Sequence, residues 1–566
     1  MRASLLCFAA PAMLLGLAGC GKKDANAGNP VPDAVFAMTT PEVAAWTSAG
    51  QAQVTGTAQN VESVSVLLAP NGAASDAART GEDWKGKVDL ARGVNVVEAQ
   101  AVDGNGDTLF VRHGVISGDF ANPDDGVSDA LAVRVNQSGL DKVGTMVADY
   151  MTPALITSSA TAMNPVYTDS YGVWGWDAVT VSADIDNISF DTPQIQFTPS
   201  SGLLTLTATL PNLLVNANAY GDVVGIDFDE DLSMSASSAV ITASVSVDVV
   251  DGAIRVTLTN CSVDLKDFAY DTSLLPGDIE SYILVDTIRS TVEEMLVTKI
   301  NEMVPDLLSS TLAGLDPSFS TDILGHTVDM AFGFADASID TKGIALDLDV
   351  DVGMDYTGAR TYAGYLSAPK VSPTIDTHSD IAAGFSDNVL NMVLFQAWRA
   401  GVLDMSLSTT DGSLDPAMLI LLKADEGTIS TSASLPPVLV QSSNGQAQVQ
   451  MSEMLVTIDT PGGGLGEHIV VAMSLWVDVQ MVIEDGSLVL SLGEPTIVMD
   501  VRESDWGASN EATTNLLSDA LPIDVILMLL GDISFPLPSL YGITVDSGAA
   551  DRDASGYYTD ATVYLQ

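Results

Sequence analysis

The sequence predicts an α+β fold: two helix-wrapped, strongly twisted antiparallel β barrels that follow a small all-β sandwich. Two observations predict this architecture. Beyond residue 126, an amphipathic helix, a run of long alternating strands and a second helix occur twice; before it, short alternating strands are separated by turn residues. An antiparallel sheet and an amphipathic helix each have one apolar face to cover, and a twisted sheet wrapped around a helix covers both.

Composition places the chain among acidic globular proteins. Its 566 residues are too many for one core, and 47% of them are apolar against 17% charged. The 74 acidic and 21 basic residues give a formal net charge of −53, which repels nucleic acid and favours solubility; a role for divalent cations is the alternative. Cys7 and Cys20 lie near the N terminus. Cys261 alone cannot form a disulfide framework or a metal–thiolate site.

Residues 1–19 are typical of an export signal. A positive start at Arg2 precedes an apolar stretch that is too short to span a bilayer. The segment Leu17-Ala18-Gly19-Cys20 resembles the bacterial lipobox, which implies cleavage before Cys20 and acylation of its thiol. Residues 20–33 then form the lipidated cysteine and a flexible tether. By resemblance to enteric sorting rules, Gly21 implies the bacterial outer membrane, with the protein facing the periplasm or the cell surface.

Residues 34–118 predict the small all-β domain. The segments QAQVTGTA, VESVSVLL, WKGKVDL and GVNVVEAQAVD each place apolar residues on one face with a period of two. The pattern resembles bacterial immunoglobulin-like modules, which implies a spacer or a docking site for another protein. The turn from Asp103 to Asp107 is rich in oxygen ligands. It lacks the distal glutamate of a calcium loop, so we expect a hairpin turn.

The two barrels are assigned to residues 119–355 and 380–566, with a proline-containing linker over 356–379. In the first, an apolar stripe follows Ser138, and a long helix is expected over about 278–312. The apolar stripe of that long helix comprises Ile279, Ile283, Ile288, Val292, Met295, Ile300, Met303 and Leu307. In the second, Ser386 is expected to cap a helix that ends near Gly401. A late helical region is expected over about 511–530, interrupted by Pro522.

Several segments then resemble the family of bactericidal/permeability-increasing protein, lipopolysaccharide-binding protein and cholesteryl ester transfer protein. VRVNQSGLDKVG resembles the opening of the family's first barrel, and SDNVLNMVLFQAWRAGVLDMSL is similar to the opening helix of its second. The stretch from Ile188 to Asn218, the Leu435-Pro436-Pro437 segment and FPLPSLYGITV follow in the family's order. The resemblance implies the tubular lipid-binding fold, a boomerang of two barrels, each with an apolar pocket.

Two features depart from that family. Cys261 matches one half of its usual disulfide, but the position near Val304 and Pro305 offers no second cysteine. Endotoxin-binding members also carry basic residues at the tip of the first barrel, whereas this chain has few basic residues anywhere. The resemblance therefore does not imply endotoxin recognition or antimicrobial activity.

The resemblance implies a membrane-anchored lipid-binding or lipid-transfer protein of the bacterial envelope, with a phospholipid or other diacyl lipid as partner. Pocket lining is expected from the apolar stripes of the two opening helices, which comprise Leu140, Val143, Val147, Met151, Val389, Val393, Leu394 and Trp398. An envelope adhesion or scaffold protein without lipid cargo is the alternative. We expect no enzyme, no catalytic residue, no cofactor and no metal, since nucleophile-elbow, zincin and P-loop motifs are missing.

Overall fold

The computed structural model describes residues 34–173, 176–223, 225–271, 280–323, 326–355, 360–442, 444–484, 487–507, 510–520, 534–536 and 545–565. The predicted export signal, Cys20 and the tether lie outside the described residues. So do Pro522 with the rest of the late helical region after Ala520, and most of the FPLPSLYGITV segment. No helix in the described ranges is both long enough and apolar enough to cross a membrane.

Residues 34–118, called here the N-terminal block, form two sheets around a core of their own. Strands β1, β3, β7 and β6 make one sheet, and β2, β9, β8, β4 and β5 make the other; their bounds are Val35–Thr40 (β1), Ala45–Thr47 (β2), Gln51–Gln59 (β3), Val61–Ala69 (β4), Ser75–Asp76 (β5), Ala78–Thr80 (β6), Asp83–Asp89 (β7), Gly93–Asp103 (β8) and Thr108–Ser117 (β9). Trp84, 2% exposed, is the largest side chain of the core between them. The four predicted strands are confirmed, and the immunoglobulin-like assignment stays a prediction.

The first half (residues 119–355) contains long strands and three helices. Its elements are Phe120–Ala121 (β10), Val127–Asn136 (β11), Gln137–Tyr150 (α1), Pro153–Thr161 (α2), Tyr167–Val173 (β12), Trp176–Ser189 (β13), Gln194–Ser200 (β14), Leu203–Val223 (β15), Ile226–Val250 (β16), Ala253–Lys266 (β17), Ala269–Asp271 (β18), Glu280–Ala313 (α3), Phe319–Ile323 (β19), His326–Ile339 (β20) and Gly343–Met354 (β21). Strands β12, β13, β15, β16 and β17 form one curled antiparallel sheet, with β14 and β18 added at its margins.

The second half (residues 380–566) repeats this outline. Its elements, with one short strand of the linker first, are Tyr365–Leu366 (β22), Ile381–Ser386 (β23), Asp387–Ala400 (α4), Ser406–Ser408 (β24), Thr428–Ala433 (β25), Val438–Gln441 (β26), Ala447–Asp459 (β27), His468–Glu484 (β28), Ser487–Ser504 (β29), Asn510–Ala520 (α5), Ser534–Pro536 (β30), Val545–Arg552 (β31) and Tyr558–Leu565 (β32). Strands β24, β25, β27, β28, β29 and β30 form the second curled sheet.

A central sheet joins the two halves, in the order β19, β20, β21, β11, β23, β32, β31. Strand β11 lies in its middle and pairs antiparallel with β21 of the first half and with β23 of the second half. The apolar residues of both halves consequently belong to one continuous core cluster. Mostly β structure with two curled half-barrel sheets confirms the coarse fold class, and its features are compatible with a tubular lipid-binding fold.

Helix α3 confirms the predicted long helix and corrects the face that it buries. Ile288, Val292 and Ile300 are buried as the stripe predicts. Met303 and Leu307, the next residues of the predicted stripe, are only partly buried. The buried face continues instead through residues four apart after Ile300, which are Val304, Leu308 and Leu312.

Helix α4 confirms the prediction at both of its ends. The Ser386 hydroxyl accepts a hydrogen bond from the Asn388 amide at 3.3 Å, as an N-cap does. Gly401 ends the helix with φ of 80°, in the left-handed region that favours glycine. Helix α1 begins at Gln137, one residue before Ser138. Helix α2 was not predicted.

The N-terminal block packs directly against the second half. Glu453, in a bulge of β27, accepts the Gly114 amide at 2.6 Å and two hydrogen bonds from Arg502 at 2.8 Å. A Cβ atom on Gly114 would lie 2.3 Å from the Ser452 hydroxyl oxygen, so only glycine permits this approach. Ala69, Val94, Val96 and Ile116 of the block share an apolar cluster with residues of the linker and second half. The block is therefore an integral part of the described structure.

We predict that Glu453→Gln lowers the free energy of unfolding by about 2–3 kcal/mol, because an amide nitrogen replaces one carboxylate oxygen that accepts from Arg502, and the guanidinium loses a buried negative partner. The Glu453 side chain is 3% exposed, so water does not replace the lost bonds. Urea unfolding provides the measurement. The control Glu503→Gln changes the residue next to Arg502 on β29, where the side chain is 74% exposed, and is expected to change stability by less than about 0.5 kcal/mol. Equal effects of the two substitutions would contradict the assigned role.

Candidate functional site

The eight predicted pocket residues all lie in the central core. Their side chains are 0–2% exposed, and they comprise Leu140, Val143, Val147, Met151, Val389, Val393, Leu394 and Trp398. Helix α1 packs closely on β14, where a Cβ atom on Gly144 would lie 2.3 Å from the Ile195 carbonyl oxygen. Helix α4 is enclosed by its neighbours and fixed by Asn391, whose amide exchanges hydrogen bonds with the Leu439 backbone at 2.6 and 3.1 Å.

This burial constrains how an acyl chain could reach these residues. Leu140, Val143 and Val147 are 0% exposed, so no water-sized space touches them. Protein interiors are normally packed at this density. A lipid tail would have to displace neighbouring side chains before it contacted the α1 stripe. Their assignment as lipid contacts therefore stays a prediction.

An apolar cleft lies between α3 and the curled sheet of the first half. Its volume is about 230 Å³ including space open to solvent, and almost none of it is wide enough to admit a water molecule. The lining residues come from β15, β16, β17, the segment after β17, and α3; they are Leu213, Val215, Met234, Ser235, Leu265, Phe268, Arg289 and Val292. Separating α3 from the sheet would widen this cleft into the apolar core.

The sequence contained a partial signal for the cleft. Val292 belongs to the predicted stripe of the long helix, and Leu213, Val215 and Met234 occupy inward positions of strands with a period of two. This periodicity is a signal for which residues face inward. It could not show which of them meet across the space between helix and sheet, because that depends on pairing between distant segments.

One cation lies at the edge of the cleft. The Arg289 Nε atom donates to the Glu293 carboxylate at 3.0 Å, and the guanidinium lies 5.2 Å from the centre of the Phe268 ring. The Arg289 side chain is 41% exposed, whereas Val292, one turn further along α3, is 2% exposed. The cleft thus changes from charged to apolar within one helical turn.

A polar groove crosses the central sheet beneath the linker. Its volume is about 940 Å³ including space open to solvent, and its lining includes Arg134, Asp347, Lys370, Pro373 and Tyr558. Mixed charges and a wide opening suit water and polar groups better than acyl chains. Of the two spaces, the cleft at α3 is therefore the candidate for an apolar ligand.

Beside this groove, Asp560 on β32 is a partly buried carboxylate. Burial, followed by the negative charges of Asp553 and Asp551, raises the pKa of Asp560 to about 7. Its Oδ1 atom is buried and has no hydrogen-bond partner among the described residues. The folded state consequently binds this proton more tightly than the unfolded chain does.

From this shift we predict that ionisation of Asp560 lowers the free energy of unfolding as the pH rises from about 4 to about 7. Over that range the unfolded chain has already lost the proton, whereas the folded protein still holds it. Asp560→Asn should raise the free energy of unfolding by about 1–2 kcal/mol at pH 8, allowing for solvent screening, and by much less at pH 4.5. Urea unfolding at the two pH values measures the difference.

Asp553→Asn is the control, because the pKa of Asp553 is shifted in the opposite direction. Burial raises the pKa of Asp553, but hydrogen bonds from Ser555, Thr374 and Gly556 outweigh it and leave that pKa lowered. Its contribution is therefore present at high pH and lost as the pH falls. A pH-independent effect of Asp560→Asn would contradict the prediction.

Two acidic segments, the aspartates of β21 and the turn from Asp103 to Asp107, have ordinary structural roles. Asp347, Asp349 and Asp351 alternate along β21 and are exposed, so they form a solvated face of that strand. In the oxygen-rich turn, the Asp103 carboxylate accepts the amides of Asn105 and Asp107 at 2.8 Å, so it closes a hairpin. Within the part of the chain that the structure describes, no group of three or more histidine, cysteine or acidic residues is placed to hold a metal ion.

Comparisons with known proteins give distant structural similarities. No protein-family model matches the chain, and no curated protein matches it in sequence. A lipopolysaccharide binding protein is similar over 78% of this chain and 99% of its own, with 14% identity and a TM-score of 0.43. P47 of Clostridium botulinum E1 matches over the same shares, with 9% identity and a TM-score of 0.29.

A third similarity involves a smaller part of the chain. The fibronectin(III)-like modules of Clostridium thermocellum CbhA match over 35% of this chain and 92% of theirs, with 12% identity and a TM-score of 0.14. All three TM-scores are below 0.5. None of these similarities therefore supports an argument about function.

Proposed function

We propose that the protein is a lipid-anchored, non-catalytic protein of the bacterial envelope that shelters the acyl chain of an amphiphilic lipid. The observation that carries the proposal is the apolar cleft between α3 and the first-half sheet, most of whose lining residues belong to the continuous core. The ordered family-like segments of the sequence and the central sheet that joins two helix-covered halves are compatible with a tubular lipid-binding fold. Acylation of Cys20 would hold the protein at the outer membrane.

The energetics permit such a role without a chemical energy source. Each methylene that leaves water contributes about 0.8 kcal/mol, whether it enters a bilayer or a protein interior. Transfer between the two is therefore nearly balanced, and the rate depends on the barrier to opening the cleft. A helix that separates from its sheet by a small distance would lower that barrier.

A lipid-transfer assay tests the proposal. The protein is produced without residues 1–20, which removes the proposed acylation site and retains every residue that the structure describes. Mixed with donor vesicles that carry a self-quenched fluorescent phospholipid and with unlabelled acceptor vesicles, it should raise the transfer rate in proportion to its concentration. A rate equal to that of vesicles alone, at all protein concentrations, would contradict the proposal.

A matched pair of variants locates the activity. Val292→Trp fills the cleft and should abolish transfer, whereas Val297→Trp, half-buried on the same helix but outside the cleft lining, should preserve it. Overpacking at Val292 costs about 1–3 kcal/mol, so circular dichroism must confirm that both variants are folded. Equal transfer rates for the two folded variants would show that lipid does not bind in this cleft.

One observation favours the alternative of an envelope scaffold. The predicted pocket residues are fully packed, and the N-terminal block is fixed to the second half by Glu453 and by a shared apolar cluster. A rigid surface of this kind suits protein binding. The same transfer assay separates the two functions, since a scaffold carries no lipid between vesicles.

A further inference from the structure

Arg289 is the only charged residue among the described residues that line the apolar cleft. The other seven present apolar groups or, at Ser235, a small polar one. A pocket that is apolar throughout would bind acyl chains without regard to the headgroup. A single cation at its edge introduces a preference among headgroups, because an anionic headgroup pairs with the cation and an uncharged one does not.

The geometry orders a bound amphiphile from head to tail. Arg289 is 41% exposed and lies over the Phe268 ring, whereas Val292, Met234 and Leu265 of the same cleft are buried. A ligand anion at the guanidinium would remain partly in water. Its tail would then enter between α3 and the sheet, where the lining is apolar.

The present partner of Arg289 can be exchanged. Glu293 is four residues away on the same helix, and its side chain is 29% exposed. Exposed ion pairs with this spacing contribute little to stability, because both groups are well solvated when separated. A carboxylate or phosphodiester can form two parallel hydrogen bonds to a guanidinium, a stronger arrangement than the single contact to Glu293.

The charge of the whole molecule limits how many negative charges this site accepts. The chain has a formal net charge of −53, and every anion that approaches meets this repulsion. One guanidinium offsets one negative charge. Ligands with several unscreened charges are disfavoured.

We propose that Arg289 binds the headgroup of an amphiphile with a single negative charge, a carboxylate or a phosphodiester, whose tail enters the cleft beside Val292. This proposal rests on the proposed function, since it assigns the ligand class of the same cleft. It makes Arg289 a specificity-determining residue. The acyl chain supplies most of the affinity.

A binding experiment with paired probes tests the assignment. A polyene fatty acid that fluoresces in an apolar environment is titrated against the protein at pH 8 and physiological ionic strength, alongside its uncharged methyl ester. The wild-type protein should bind the acid about tenfold more tightly than the ester, as a charge-assisted hydrogen bond provides. Arg289→Gln should remove that preference and leave the affinity for the ester unchanged.

Lys299→Gln is the matched control. Lys299 lies on the same helix and pairs with Glu302 at 2.7 Å, but it does not line the cleft, so this variant should keep the wild-type preference. Competition then identifies the headgroup: displacement by lysophosphatidylglycerol supports a phosphodiester, and displacement by the fatty acid alone supports a carboxylate. Zwitterionic lysophosphatidylcholine carries the same phosphodiester without a net charge, so equal displacement by the two lysolipids would contradict the preference for a net negative charge.

The outcomes separate this assignment from the proposed function. If the wild-type protein binds neither the acid nor the ester, the proposed function itself fails. If it binds both equally, or if Arg289→Gln retains the preference for the acid, lipid binding stands and the assignment to Arg289 is overturned.

Discussion

Arg552→Met is expected to lower the free energy of unfolding by about 3–5 kcal/mol, because it removes the guanidinium that is hydrogen-bonded to the buried carboxylate of Asp387. The Arg552 guanidinium donates to both Asp387 oxygens at 2.5 Å, and to the Gly556 carbonyl oxygen at 2.7 Å. The side chains are 12% and 0% exposed, respectively. Asp387 begins α4, so the loss should be transmitted to the opening helix of the second half.

A double-mutant cycle with Asp387→Asn isolates this pair. Each single substitution should cost more than half of what the double substitution costs, because the second change removes the charge that the first left unpaired. Lys266→Met is the surface control: its pair with Asp264 has side chains 52% and 59% exposed and should contribute less than about 1 kcal/mol. Strictly additive effects in the cycle would show that Arg552 and Asp387 are not coupled.

Trp398→Ala is expected to lower the free energy of unfolding by about 3–5 kcal/mol through the cavity that it leaves in the core. The indole is 2% exposed, and its N–H donates to the Ala433 carbonyl oxygen at 2.7 Å. Its ring centre lies 5.6 Å from that of Phe395 and 6.3 Å from that of Trp46 in the N-terminal block. Trp398 therefore supports the contact between the block and the second half.

Trp398 is also one of the predicted pocket residues, so a milder substitution can test whether it contacts lipid or only fills the core. Trp398→Phe keeps most of the apolar volume but loses the N–H donor, so it should cost about 1–2 kcal/mol. If Trp398 only fills the core, lipid transfer by folded Trp398→Phe should equal that of the wild-type protein. A large loss of transfer with little loss of stability would instead assign Trp398 to a lipid pocket.

Local patterns predicted individual elements accurately. The stripe of α3 placed that helix within two residues at its start and one residue at its end, and Ser386 and Gly401 located both ends of α4. Capping chemistry and helical spacing are short-range, so a single sequence contains them. A similar signal was present for α2, whose Thr152 cap precedes Pro153, but its short run has no clear apolar stripe.

Long-range pairing could not be predicted from the patterns. Strand β11 is the centre of the sheet that joins the halves, yet its partner β23 lies far away along the chain. The cleft could not be predicted for the same reason, since Met234 and Val292 come together only when α3 packs on the sheet. The composition gives the number of arginines. It does not show that Arg502 and Arg552 form ion pairs with acidic residues of distant segments.

The central claim is that acyl chains enter the interior of this protein, and its lipid content measures that directly. The protein without residues 1–20, expressed in its native host, purified without detergent and analysed by native mass spectrometry, should carry about one amphiphile per chain. Val292→Trp should reduce that occupancy, and organic extraction should identify the ligand. A wild-type chain that carries no lipid, and takes up none from vesicles, would contradict the account.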